Sequence, residues 1–244
     1  MPSIKNSTVL VIGGSSGIGY GVAEKALAEH AKVHIASSNA SRVRESTETL
    51  QEKFPEEHIS GHLCDLADSG VERNLELLLT TIGPLDHIVF TAGDRLSIQP
   101  LDSIDLEAIH RAGHIRFAVP LLLAKLAPRF LKPGYGSSIT LTTGSGSQKP
   151  YPNWSLITGY LTGLHGMVRN LALDLKPTRV NLVSPGVVAT PLWGPAGVSD
   201  EMKNSTALRK AGTIEEVSEA YLYLMKDTNA TGSCVSTNAG SLLL

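Results

Sequence analysis

The stretch Val9-Leu-Val-Ile-Gly-Gly-Ser-Ser-Gly-Ile-Gly19 limits what this chain can fold into more than any other. Four apolar residues, 9–12, run straight into glycine, as in a strand buried on both faces of a parallel sheet. Gly13, Gly17 and Gly19 follow at spacings of four and two. The first glycine allows a tight turn out of the strand. The second leaves bare backbone where a pyrophosphate approaches, and the third lets the next helix pack close. Ile18, Val22, Ala26 and Leu27 then recur at helical spacing. A helix beginning there presents unpaired N–H groups and partial positive charge to a phosphate. Three glycines alone also suit an ordinary turn; the strand before them and the amphipathic helix after them favour the phosphate cradle.

The spelling Gly13-Gly14-Ser15-Ser16-Gly17-Ile18-Gly19 resembles the short-chain dehydrogenase/reductase family, with Ile12 where that family usually carries Thr. The resemblance implies an α/β fold, a single Rossmann-like doubly wound parallel sheet of about seven strands with helices on both faces. It also implies cofactor contacts from Gly13, Ser15, Ser16, Gly17 and Ile18. At 244 residues with 42% hydrophobic content the chain suits one such domain over 1–244. A net charge of −2 argues against a nucleic-acid surface. Cys64 and Cys234 sit in or beside strand-like runs and read as two buried structural thiols, with no metal spacing. The start, Met1-Pro2-Ser3, lacks the pattern of a signal sequence, and the apolar run 117–126 is broken by Pro120 and Lys125 and too short to span a bilayer. A soluble cytoplasmic protein is expected.

Along the chain, 33–36 is a second strand. Its end carries Ser37-Ser38-Asn39, with Arg42 a turn later, where an acidic residue would bind ribose hydroxyls and repel a 2′-phosphate. The missing carboxylate and the row of donors favour NADP(H) over NAD(H); helix capping by Ser and Asn is compatible with this. Residues 42–53 form a polar helix and 58–63 a third strand, followed by Asp65-Leu66. By resemblance Asp65 touches the adenine amino group; it also suits an N-cap. Strand 86–90 runs into Thr91-Ala92-Gly93, similar to the family's Asn-Ala-Gly. Residues 105–131 read as one long helix, kinked or broken at Pro120.

The family's catalytic groups are where the chain departs. Arg116 stands where an Asn holds a catalytic water, and a guanidinium holds an anion or electron-rich oxygen but relays no proton at neutral pH. After strand 138–142 the catalytic Ser position falls on Gly144, with hydroxyls of Thr143 and Ser145 on either side. The Tyr-x-x-x-Lys pair is absent: Ile157 and Leu161 occupy its two positions, and Tyr160 points to another side of the helix. Without an acid, hydride transfer suits a substrate that is already activated, an imine, iminium or conjugated carbonyl.

Arg116, Trp154 and the segment Gln148 to Trp154 resemble the degenerate NADPH-dependent reductases and cyclases of fungal indole-alkaloid biosynthesis. Tyr151 replaces the pocket Asp of those proteins, and Asp94 is the next carboxylate candidate. Tyr151 and Trp154 are placed to stack on a flat, hydrophobic or aromatic substrate, with Ile157 and Trp193 beside them. Pro185, Gly186, Val188 and Thr190 match the family's nicotinamide-carboxamide signature, and 192–210 reads as a mobile lid. Family members assemble as homodimers or homotetramers, which the resemblance carries over here. Three readings follow: an atypical NADP(H) reductase, a non-redox cyclase or isomerase that retains the nucleotide, and an inactive nucleotide sensor.

Overall fold

The computed structural model describes residues 2–244. Seven strands form one sheet in the order β3-β2-β1-β4-β5-β6-β7. They are β1 (Thr8–Ile12), β2 (Lys32–Ser37), β3 (Ile59–Leu63), β4 (His87–Phe90), β5 (Ser138–Thr142), β6 (Arg179–Pro185) and β7 (Cys234–Thr237). All six pairings are parallel. A parallel neighbour requires a crossover, and helices supply it: α1 (Gly17–Ala28), α2 (Ala40–Lys53), α3 (Val71–Ile82), α4 (Leu106–Gly113), α5 (Val119–Leu126), α6 (Ser155–Asp174), α7 (Asp200–Asn204) and α8 (Ile214–Lys226).

The alternation of strand side chains splits the core in two. Leu10, Ile12, Ile88, Phe90, Ile139 and Leu141 face α3, α5 and α6. Val9, Val11, Val33, Ile35, Val89 and Val183 face α1, α2 and α8. Of the buried polar groups on β4–β6, His87 Nδ1 lies 2.9 Å from Ser138 Oγ and Asn181 Nδ2 donates to Ala230 O at 2.8 Å, while Thr140 Oγ1 and Ser184 Oγ have no partner among the described residues. Arg179, 2% exposed, donates to the Leu224 and Met225 carbonyls at 2.6 and 2.9 Å and so satisfies the end of α8.

Two expectations change. The stretch 105–131 is not one helix broken at proline. Between α4 and α5 lies a π-helical turn, His114–Ala118, in which Val119 N–H reaches His114 O. Pro120, which has no N–H to place, enters at the start of α5, and the helix ends at Leu126. Cys64 is buried as expected, but Cys234 is exposed, because β7 is the edge strand and turns that side chain outward.

Candidate functional site

A cleft of about 590 Å³ opens at the carboxyl ends of β1, β2, β4, β5 and β6. It sits where the strand order reverses between β1 and β4, the switch point at which open α/β sheets bind ligands.

Its floor is the glycine turn. Gly13 adopts φ +91°, and a Cβ there would lie 2.5 Å from Ala92 N. A Cβ on Gly19 would lie 2.3 Å from Gly13 O, so only glycine lets α1 start this close to the sheet. Ser16 precedes α1 without capping it through its side chain, and the first turn holds no acidic residue. The N–H groups of that turn therefore face the cleft, which is lined by Gly13, Ser15, Ser16, Gly17 and Ile18.

At the β2 flank, Ser37, Ser38 and Arg42 line the cleft. Asn39 does not line it: its Oδ1 accepts from Arg42 N at 2.9 Å and from Ser41 Oγ at 2.8 Å, so it caps α2 from outside the cleft. Asp65 and Leu66 line the same flank. Asp65 caps no helix; its Oδ1 accepts from Ala67 N at 2.9 Å, while α3 begins only after Gly70. Cys64, beside it, has its thiol pushed up to about 11 by burial and by Asp65, so it stays protonated.

Thr91, Ala92 and Gly93 follow β4, and Thr91 Oγ1 donates to Ile12 O at 3.1 Å. The π turn aims Arg116 at this point. Its guanidinium lies across Gly93, where a Cβ would come within 2.7 Å of Nη1. Nε donates to Asp94 Oδ1 at 3.1 Å, and Nη2 donates to the Asp94 carbonyl. Asp94 itself does not line the cleft; the expectation of a carboxylate facing substrate gives way to one that buttresses Arg116 from behind. Burial lowers the Arg116 pKa and Asp94 opposes that shift.

The end of β5 separates two hydroxyls that look alike in sequence. Thr143 Oγ1 donates to Leu161 O at 2.7 Å and anchors α6. Ser145 lines the cleft and its hydroxyl has no protein partner among the described residues. Leu161 also lines the cleft, while Ile157, 1% exposed, turns into the protein and does not. The substrate-pocket expectation for Ile157 is thus corrected: Trp154, three residues earlier, takes that wall by lying over Gly146. Tyr160 donates its hydroxyl to Ile109 O at 2.8 Å, away from the cleft, as its helix position requires. Tyr151 and Trp154 pack against each other with ring centroids 4.9 Å apart and planes inclined by 46°.

Opposite stand Pro185, Gly186, Val188 and Thr190, and Trp193, whose indole N–H donates to Val188 O at 2.8 Å. Over 192–210 the chain contains the short α7, and Leu192, Met202 and Ser205 reach the cleft. Lys149 Nζ donates to the Ser241 carbonyl at 2.9 Å and lies 3.5 Å from that of Ser205. Leu96 and Ile115 add an apolar lining that sequence reading missed, because bare aliphatic residues carry no motif; Leu161, Leu192 and Met202 continue it.

The fold and this cleft define a Rossmann-type domain built to receive a dinucleotide. The chain belongs to the short-chain dehydrogenase/reductase family: the family model described as an SDR-like Rossmann domain matches residues 2–244. It is 42% identical over 253 residues to the short-chain dehydrogenase/reductase malC of Malbranchea aurantiaca, covering 98% of this chain and 96% of that protein. The solved structure of the MalC reductase/Diels-Alderase from the same organism superposes with a TM-score of 0.93 at 40% identity, over 99% and 98% of the two chains. A small-chain dehydrogenase solved in complex with NADPH aligns with a TM-score of 0.80 at 27% identity, over 98% and 100%. No helix among the described residues is long and apolar enough to cross a membrane.

Proposed function

We propose that this chain is an NADP(H)-dependent oxidoreductase that reduces a pre-activated, conjugated small molecule without the usual Tyr/Lys relay. The observation that carries the nucleotide is the shape of the floor. The bare backbone at Gly13, Gly17 and Gly19 and the uncapped first turn of α1 fit a pyrophosphate. Ser37, Ser38 and Arg42, with no carboxylate at the end of β2, fit a 2′-phosphate. The NADPH complex of a similar fold supports the same preference. Asp65, Thr91, Ala92 and Gly93 would border the adenosine half; Pro185, Gly186, Val188 and Thr190 would hold the nicotinamide. When bound, the cofactor supplies the hydride.

The chain's own residues do the rest. Leu161 replaces a cation with a hydrocarbon wall, so no group on α6 lowers an acid's pKa beside the acceptor. Tyr151, Trp154 and Trp193 hold a flat substrate and exclude water from it. Arg116 stays charged and polarises an oxygen or steadies charge. The test is NADPH absorbance during incubation with conjugated carbonyl and imine acceptors. Substrate-dependent loss of NADPH supports the reductase.

A second reading is favoured by the likeness to the MalC reductase/Diels-Alderase and by the aromatic walls: retained NADP(H) with non-redox cyclisation. It expects substrate conversion with NADPH unconsumed. Family resemblance favours a homodimer or homotetramer, and the sequence start favours the cytoplasm; sedimentation and fractionation test the two.

A further inference from the structure

Charge accounting inside the cleft narrows the ligand further. Among the residues that line it, the ionised side chains are Arg42, Asp65 and Arg116. Arg42 and Asp65 belong to the β2–β3 flank, so the half bounded by β4, β5 and β6 holds one charge, the Arg116 guanidinium. That group is largely buried, with its side chain 16% exposed. It has five N–H donors. Asp94 takes one from Nε and one from Nη2, which leaves both Nη1 hydrogens and one on Nη2 without a protein acceptor among the described residues. A buried guanidinium with unspent donors is a demand for an acceptor. The Ser145 hydroxyl, which lines the same cleft, is likewise unspent, whereas Thr143 is committed to Leu161. No carboxylate lines this half; Asp94 pairs with the guanidinium from outside the cleft and is itself 32% exposed.

From this we infer that the inner end of the cleft is an oxygen seat: Arg116 and Ser145 receive the anionic or anion-forming oxygen of a planar enol, phenol or conjugated ketone, and a cationic substrate is disfavoured there. The inference rests on the reductase reading and chooses within it, against iminium acceptors. Charge that develops on an enolate oxygen as a conjugated carbonyl accepts electrons needs a fork of fixed donors and no proton in step, which is what the guanidinium offers in the absence of Tyr and Lys. The aromatic walls alone would welcome a flat cation, but a guanidinium at the end of the same slot opposes it.

The probe is 7-hydroxy-4-(trifluoromethyl)coumarin, a planar phenol whose phenolate is read directly by absorbance, titrated against pH with the NADP⁺-loaded enzyme and with the nucleotide-free enzyme. N-Methylquinolinium serves as the flat cation, followed by quenching of tryptophan emission. The phenol bound to the wild-type protein is expected to ionise at least tenfold more readily than free phenol in buffer, with that gain lost in Arg116→Met and partly kept in Arg116→Lys. The quinolinium is expected to bind more weakly than the phenolate and to gain affinity in Arg116→Met. A bound phenol that ionises no more readily than free phenol, a gain that persists unchanged in Arg116→Met, or tighter binding of the cation overturns the oxygen seat. If Arg116→Met fails to fold, Arg116→Lys reads a partial loss of the gain, since it keeps the charge and loses the fork, and a gain undiminished in Arg116→Lys then overturns the seat. NADPH titration of the same samples scores the nucleotide reading separately: intact NADPH binding with no phenol shift overturns the seat alone.

Discussion

Gly93→Ala isolates Arg116 without touching it. A Cβ on Gly93 lies 2.7 Å from Nη1 and 2.8 Å from Cζ and Nη2, against an ordinary contact of 3.4 Å or more, so the guanidinium must withdraw by about 0.7 Å to reach it. Gly93 has no positive φ, so alanine brings no backbone strain, and the atoms that yield are the end of a side chain. The fold should therefore hold. What suffers is the pairing with Asp94, 3.1 Å at Nε and a second bond from Nη2. Hydrogen bonds to charged groups contribute roughly 1.5–3 kcal/mol, and Asp94 is 32% exposed, so water and a relaxed geometry recover part of that. A net loss of about 1–2 kcal/mol remains, which for a chain of this size is a melting shift of roughly 2–8 °C. Calorimetry measures the shift, and the coumarin titration measures what the displaced guanidinium no longer holds. Wild-type melting together with a wild-type phenol shift would show that Arg116 does not lie across Gly93. A drop beyond about 15 °C would show that the backbone itself needs glycine there.

Other consequences are more direct. Arg42→Ala should weaken NADPH by roughly 10- to 100-fold, the scale of one or two charge-assisted bonds to a phosphate, and leave NADH unchanged; parallel titrations check it. His87 is 3% exposed and lies 2.9 Å from Ser138 Oγ; burial, followed by the Arg179 charge, lowers its pKa from 6.5 to about 4. The unfolded chain then takes up a proton that the folded one refuses. Its contribution is whole above pH 6.5 and falls by up to about 3 kcal/mol as pH drops towards 4, so urea melts at pH 7, 5.5 and 4.5 should decline in the wild type and decline less in His87→Gln. Lys149→Met removes the donor shared by Ser241 and, at longer range, Ser205; limited proteolysis should then cut faster within 199–210.

Most of the frame was legible because its signals are local. Four apolar residues ending at glycine could hardly be anything but a central strand, and β5 has the bounds expected of it, Ser138–Thr142. Positions whose meaning depends on a partner far away in sequence were not. Asn39 suits a cap and a ligand donor alike, and only the folded chain shows that it caps α2 and lies outside the cleft lining. Asp94 and Arg116 are 22 residues apart, and nothing in either segment says that they pair. The π turn escaped because one extra residue in a turn leaves composition unchanged. It moves Arg116 relative to a regular helix, which is why a residue-by-residue register was fragile there. The exchange of Ile157 for Trp154 as a pocket wall has the same origin, since Gly146, on another segment, makes the space that Trp154 fills.

The central claim is that this cleft holds NADP(H). Fluorescence titration of the purified protein with NADPH and with NADH tests it most directly. The expected result is tight NADPH binding, NADH weaker by at least tenfold, and loss of that difference in Arg42→Ala. Binding of neither nucleotide, or equal binding of both with Arg42 indifferent, would contradict it.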